Sequence, residues 1–509
     1  MKNETKTKNL IYVFVLLAYS ALTLTGVLNH EIWHDEAQAW CVVRDNDIPG
    51  IIDHLKFEGH PILWYLILYP LPRLGLSCIS IGFISWAFST ITVGLLLFKL
   101  RLPTSVKLIT MCSCGFLFYN SVTSRPYCLI ALLLVLLSLT YSKRKEHPIL
   151  FGTLVALLAN THICMSGLVG ILGIQMIYEL FKHRKESRLK LSILRIIGLV
   201  IAGAGVITLI LPLLMSLVNN HAVVDSPVTV NNILSRITGS FQNISLQLIP
   251  DIAGIKNAGG AVISIMIILI LILLRHYPKG LIASISFIVF FVLSTQIIYT
   301  VVQPTRSITF FYTLMIIYYT VKENEKSRER TKSINLKTDT KLIKKLLDFL
   351  SFADTNHTKS IAVLFCAIMC LSIPRGVYWY VTDITGQYSL SCKTAEFIKE
   401  ELQEDAVFIV DGDYFVSLSA YLPEAKFYYP ELNRFVTYLP NISIKDKECD
   451  KGKMLSDLKN FDNIYLLSFS DVTDDEKAIL YSDSIEPDLI FINRYIKISN
   501  FEIEKFLSE

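Results

Sequence analysis

The sequence predicts a polytopic α-helical membrane protein that ends in a small α/β domain. Three observations predict it. Of the 509 residues, 52% are hydrophobic and 18% charged, with a mean hydropathy of +0.48, whereas a soluble domain carries roughly 25% charged residues. Apolar runs recur from Leu10 to Val381, and a bilayer takes roughly 20 such residues per helix. After Val381 the runs give way to short segments of alternating period, such as "EFIKEEL", "AVFIVDGD", "KFYYPE" and "NIYLLSFS". Those are the marks of helices and strands outside a membrane.

The chain opens with "MKNETKTKNL" and an apolar run to Leu28. That run is longer than the apolar part of a signal peptide and lacks a small-x-small cleavage site, so it is expected to stay as the first span. Further apolar runs cover 61–76, 78–98, 106–120, 126–141, 148–162, 164–181, 191–217, 260–274, 281–301, 308–319 and 361–381. Counting 61–76 as a full crossing would put the basic loops around Arg101 and Arg144 outside. If 61–76 instead dips into the outer leaflet and returns, every basic loop falls inside, as the positive-inside rule requires. Those loops are Lys99/Arg101/Lys107, Lys143/Arg144/Lys145, "KHRKESRLK", Arg275/Lys279 and the stretch from Lys322 to Lys345. The expectation is therefore about eleven transmembrane helices plus one re-entrant or interfacial helix, with the N-terminus inside and the C-terminus outside. The expected location is the plasma (inner) membrane.

Four regions follow: a transmembrane region 1–321 with its first external loop at 29–60, a basic cytoplasmic linker 322–358, a last span 359–381, and an extracytoplasmic α/β domain 382–509. The linker is too charged to fold alone and suits contact with anionic lipid. Most of the ten cysteines lie inside apolar runs and read as packing residues. Cys392 and Cys449 share a late polar region, and spacing does not say whether they pair. No internal repeat and no phosphate-binding glycine loop is present, which argues against nucleotide and nucleic-acid partners.

Residues 30–40 read "HEIWHDEAQAW". His30-Glu31-x-x-His34 matches the pattern by which a helix presents two histidines to zinc. Asp35 and Glu36 follow immediately as adjacent carboxylates at a membrane boundary, where they repel each other and gain nothing from packing. Neighbouring helical residues point about 100° apart, so the two acids have separate tasks. One suits a base; the other suits a cation or a second substrate group.

With the topology above, other polar residues gather on the same outer face. Glu58 and His60 lie in "FEGHPILWY", Arg125 and Tyr127 in "SRPY", His162 in "NTHIC" and Arg306 in "QPTRS". Pro61, Pro126 and Pro304 mark helix starts, since the first turn tolerates a missing N–H. Helix N-termini beside His60, Arg125 and Arg306 make a cradle for a phosphate. The plainer alternatives are an arginine snorkelling to headgroups, a packed helix-end histidine at His162, and interface-belt aromatics at Tyr127 and Trp64.

Over its first 170 residues or so, the order of a first span, "WHDEAQAW", "EGHPILWYLIL" and "SRPY" resembles the GT-C superfamily of membrane glycosyltransferases. The likeness is to the bacterial multi-pass branch, related to protein mannosyltransferases and aminoarabinose transferases. The resemblance implies a sugar donor carried on a polyprenyl phosphate and an acceptor glycan, lipid or protein on the outer face. It places Asp35 at the catalytic carboxylate and Glu36 beside it; Arg125 matches a phosphate contact less closely, and Arg306 is placed by topology only. His34, Asp35 and Glu36 are the residues that would hold a divalent ion, Mg or Mn, although nothing in the sequence demands one. Two other classes stand beside it. A transporter or flippase for lipid-linked sugars predicts ionisable residues deep in the spans, where this chain is nearly free of charge. A membrane zinc metallopeptidase needs "HEIWH" inside a helix with a third ligand, for which Glu58 or His60 would serve.

Overall fold

An α-helix closes its own backbone hydrogen bonds, so an apolar run without water has little choice but to coil. The first does so as α1 (Lys2–Asn29). The computed structural model describes residues 2–58, 60–100, 102–141, 143–162, 165–182, 189–219, 265–266, 269, 357–385, 390–402, 405–410, 415–440, 449–469, 489–492 and 496–500. Among them, three helices are long and apolar enough to cross a bilayer: Lys6–Asn29, Ser80–Phe98 and Leu189–Pro212. At about 1.5 Å per residue, the 19 residues of Ser80–Phe98 span about 28 Å, close to the hydrocarbon thickness. Tyr127–Tyr141 and Pro148–Ala159 are apolar but shorter. The described part of the chain is thus mostly helical and compatible with a membrane protein. The expected spans at 281–301 and 308–319, nearly all of 260–274, and the linker 322–356 lie outside the described residues.

Two expected segments are interrupted. Residues 61–76 form α4 (Leu63–Leu68) and α5 (Pro70–Arg73), two short helices that meet at a proline. Residues 106–120 form one helix, Thr104–Cys112, and then a π-helical turn, Gly115–Tyr119. Of the three prolines expected to mark helix starts, Pro126 does so, its carbonyl accepting the Ile130 N–H at 3.0 Å; Pro61 lies just before Leu63–Leu68, and Pro304 lies outside the described residues.

The chain divides into two compact units. The first holds residues 1–27, 85–211 and 224–380. Its described helices are tied by hydroxyls that find backbone partners. Tyr19 donates to the Phe116 carbonyl at 2.7 Å, and the Trp86 indole donates to the Ser20 carbonyl at 2.9 Å. Where Pro148–Ala159 meets Leu189–Asn219 the backbones touch. A Cβ on Gly152 would collide with the Gly198 carbonyl, the close approach that small residues permit between apolar helices.

The second unit joins residues 28–84 and 212–223 to 381–509. Residues 28–84 therefore fold in one unit with the C-terminal region. The loop supplies α2 (His34–Asp45) and α3 (Ile48–Glu58). The C-terminal part supplies helices Ser391–Glu401, Phe415–Tyr421 and Lys451–Leu458 and a six-stranded sheet, whose strands lie in the order Arg434–Val436, Lys426–Tyr429, Val407–Val410, Ile464–Phe469, Ile496–Asn500, Leu489–Ile492. β1 (Val407–Val410) lies parallel to both β2 (Lys426–Tyr429) and β4 (Ile464–Phe469). β3 (Arg434–Val436), β5 (Leu489–Ile492) and β6 (Ile496–Asn500) add antiparallel edges. All four residues of β1 are buried, as a central parallel strand covered on both faces demands. Val407 and Ile409 pack with Met454 and Leu458 on one face, while Phe408 stacks on Phe427 on the other. α2 lies on Phe415–Tyr421: Arg44 donates to the Ser419 carbonyl at 2.7 Å, and Gln38 exchanges two hydrogen bonds with the Leu439 backbone.

Candidate functional site

The first turn of α2 carries the acidic pair, and its capping decides what each acid does. Trp33, extended at φ −75° and ψ 157°, caps the helix. Three residues on, Glu36 turns its carboxylate back to accept the Trp33 N–H at 2.8 Å, the reciprocal half of a capping box. The same oxygen accepts a hydrogen bond from His30 Nε2 at 2.8 Å, and His30 Nδ1 donates to Asp383 Oδ2 at 2.8 Å. The three side chains are 4% exposed or less. Burial opposes charge on His30, but Glu36 and Asp383 outweigh it and hold the imidazole up to about 10. His30 is thus an imidazolium with both ring protons engaged.

Asp35 is arranged otherwise. Its carboxylate is 44% exposed and lies 3.7 Å from Nδ1 of His34, itself 30% exposed. The structure therefore separates the pair: Glu36 is locked inside, and Asp35 faces out from a helix N-terminus.

Near the same turn, Glu31 performs another structural task. Its carboxylate accepts the backbone N–H groups of Leu390 at 3.1 Å and Cys392 at 3.0 Å, which satisfies the open end of helix Ser391–Glu401. This bears on the zinc pattern. Residues 30–33 lie between helices, not within one. Both His30 nitrogens lie 2.8 Å from carboxylate oxygens of Glu36 and Asp383, and the Glu31 carboxylate accepts two backbone amides. Among the described residues no three His, Cys, Asp or Glu side chains converge as a metal site. His34 and Asp35 are the accessible members of the predicted set, because Glu36 is committed to His30 and Trp33.

Glu58 and His60 do come together, in a second cluster of the same unit. Glu58 accepts from His54 Nε2 at 2.9 Å and from the Tyr65 hydroxyl at 2.6 Å, with His60 Nδ1 at 3.4 Å. Burial would raise this carboxyl, but the hydrogen bonds and charges of His54 and His60 hold it well below the usual carboxylate range. Trp64 is 3% exposed and so belongs to the interior, not to an interface belt; its buried indole nitrogen has no hydrogen-bond partner among the described residues.

Arg125, Tyr127 and His162 belong to the other unit. Arg125 is half-buried just before helix Tyr127–Tyr141. Tyr127 and His162, both buried, face each other with ring centroids 5.7 Å apart, so His162 is a packed helix-end histidine. Arg306 lies outside the described residues. Cys392 and Cys449 are free thiols.

Asp383 is the residue that sequence reasoning missed. It stands 353 positions from His30, in the last turn of helix His357–Thr385. Its signal was a lone acid just past an apolar span, "VYWYVTD", which on its own reads as an interfacial charge. Neither a scan against protein-family models nor a search of curated proteins finds a match for this chain.

Proposed function

We propose that the chain is a membrane glycosyltransferase that moves a sugar from a polyprenyl-phosphate donor to an acceptor on the outer face, with Asp35 as the general base. The observation that carries the proposal is the division of the acidic pair. A base must reach its proton, and the Asp35 side chain is 44% exposed while that of Glu36 is fully buried. An acceptor hydroxyl is a poor nucleophile at neutral pH. Asp35 takes its proton as the oxygen attacks the anomeric carbon. The new C–O bond forms as the bond from that carbon to the lipid phosphate breaks, and polyprenyl phosphate leaves with the electron pair. One displacement inverts the anomeric centre. The phosphate suits arginine and helix N-termini, roles assigned here to Arg125, Arg306 and His60, with Glu58 holding His60. About eleven crossings, with segment 61–76 re-entrant, is the topology that goes with this reading. The broken helix at Tyr69–Pro70 supports a segment that does not cross.

The test is transfer from a polyprenyl-phosphate sugar in membranes. Asp35→Asn is expected to lower the rate by about 10²- to 10⁴-fold, the usual weight of a general base. Full transfer by Asp35→Asn would sink the assignment. A chelator series on the same assay reports whether a divalent ion takes part.

A further inference from the structure

A single oxygen gathers the residues just before the turn that carries Asp35. Glu36 Oε2 accepts both the Trp33 N–H and the His30 Nε2–H, each at 2.8 Å. His34 and Asp35 sit between those two points and Glu36 itself. The oxygen in turn is held by His30, which is held by Asp383. A buried arrangement of two carboxylates around one imidazolium is a costly way to gain stability, because apolar packing of similar volume often does as well. What such an arrangement supplies is a unique register: each hydrogen bond has one length and one direction.

We infer that His30 and Asp383 are positioning residues, which tether the first turn of α2 through Glu36 and thereby aim the Asp35 carboxylate. The inference rests on the proposal that Asp35 is the base. Neither residue touches a reacting atom; each acts through Glu36. The physical demand is general: a catalytic group displaced by about 1 Å loses about 100-fold in rate. Asp35 stands in the first turn of α2, shortly after α1 ends at Asn29. Glu31 adds a second tether one residue on, through the Leu390 and Cys392 amides. Consecutive residues His30 and Glu31 thus bind the loop to two separate places in the last quarter of the chain.

The experiment uses the full chain, purified in detergent, with transfer kinetics and thermal unfolding measured on His30→Gln, Asp383→Asn, their combination, and Asp35→Asn. Each single variant is expected to lower kcat by about 10- to 100-fold while the KM for the donor lipid stays within about twofold. The combined variant should lose no more than His30→Gln, because both act on one path. Unfolding should remain cooperative. If the variants melt early yet keep the wild-type kcat per folded enzyme, the cluster is structural only and the inference fails. It fails equally if neither single variant accumulates as folded protein. If Asp35→Asn keeps full transfer, the base assignment itself has failed. If it is inactive while His30→Gln and Asp383→Asn keep their kcat, only the tether is wrong.

Discussion

Glu36 and Glu58 are two carboxylates of the same compact unit, each held by histidine and by one further donor, yet they are built over different distances. Glu58 draws His54, His60 and Tyr65 from within seven residues of itself. Glu36 draws Trp33 and His30 from nearby, but His30 is completed by Asp383 from 353 positions away. The first cluster, around Glu58, takes its hydrogen-bonding members from α3 and the residues soon after it, with the Tyr438 ring packed edge-on against His54 at 5.4 Å. The second exists only once the end of the last long helix has come to the loop. A local cluster tunes its own members; a long-range one also fixes where a piece of backbone stands.

The contrast can be broken most directly at the two acids. Glu36→Ala leaves the His30 imidazolium and the Trp33 N–H facing an empty site, and breaking a buried pair costs about 3–5 kcal/mol. Glu58→Gln keeps an acceptor for Tyr65 and loses only the charge, so about 1–3 kcal/mol is expected. Chemical unfolding in detergent measures both. A larger loss for Glu58→Gln than for Glu36→Ala would make the local cluster the stronger of the two.

The pH dependence sharpens the contrast because the two clusters fail on opposite sides. The His30 imidazole rises from its ordinary 6.5 to about 10 on folding. Its contribution is complete below 6.5 and is lost as pH climbs towards about 10. The Glu58 carboxyl falls well below its ordinary 4.5, so its contribution is present above that value and is lost as the medium becomes strongly acid. Melting temperatures of the wild type should therefore fall along both limbs. His30→Gln should flatten the alkaline limb and leave the acid limb in place, and Glu58→Gln should do the reverse. An alkaline limb unchanged by His30→Gln would mean that His30 is not held as an imidazolium.

The smallest effect is expected of Tyr65→Phe, which deletes one hydrogen bond to Glu58 and keeps the ring. About 1–2 kcal/mol is the scale for a single bond to a charged acceptor. A change in stability with no change in transfer rate would mark the local cluster as structural support. A change in donor KM would mark it as part of the substrate site.

How much of this was legible depends on the range of each interaction. Helices at Ser80–Phe98 and Leu189–Pro212 follow from apolar runs, because transfer from water to lipid is summed along a short stretch of chain. Segment 61–76 was singled out by the charge of its neighbours, but its break at Tyr69–Pro70 was not foreseen. Strands Val407–Val410 and Ile464–Phe469 were visible as apolar runs outside the spans. The candidates Glu58 and His60 were picked out two residues apart, and they do meet. His30 was visible only as a letter in a zinc-like pattern, and residues 30–33 of that pattern are not helical.

The sequence by itself determined the apolar helices, the α/β character of the C-terminal part and the presence of an acidic pair in the first loop. Each is a property of neighbouring residues, set by hydrophobic period, helix capping and proximity along the chain. Only the tertiary structure decided which acid is open and which is locked. Asp35 and Glu36 are adjacent and chemically alike, so nothing local separates them. The separation comes from the cap at Trp33 together with a buried partner of His30, Asp383, which lies 353 positions away along the chain.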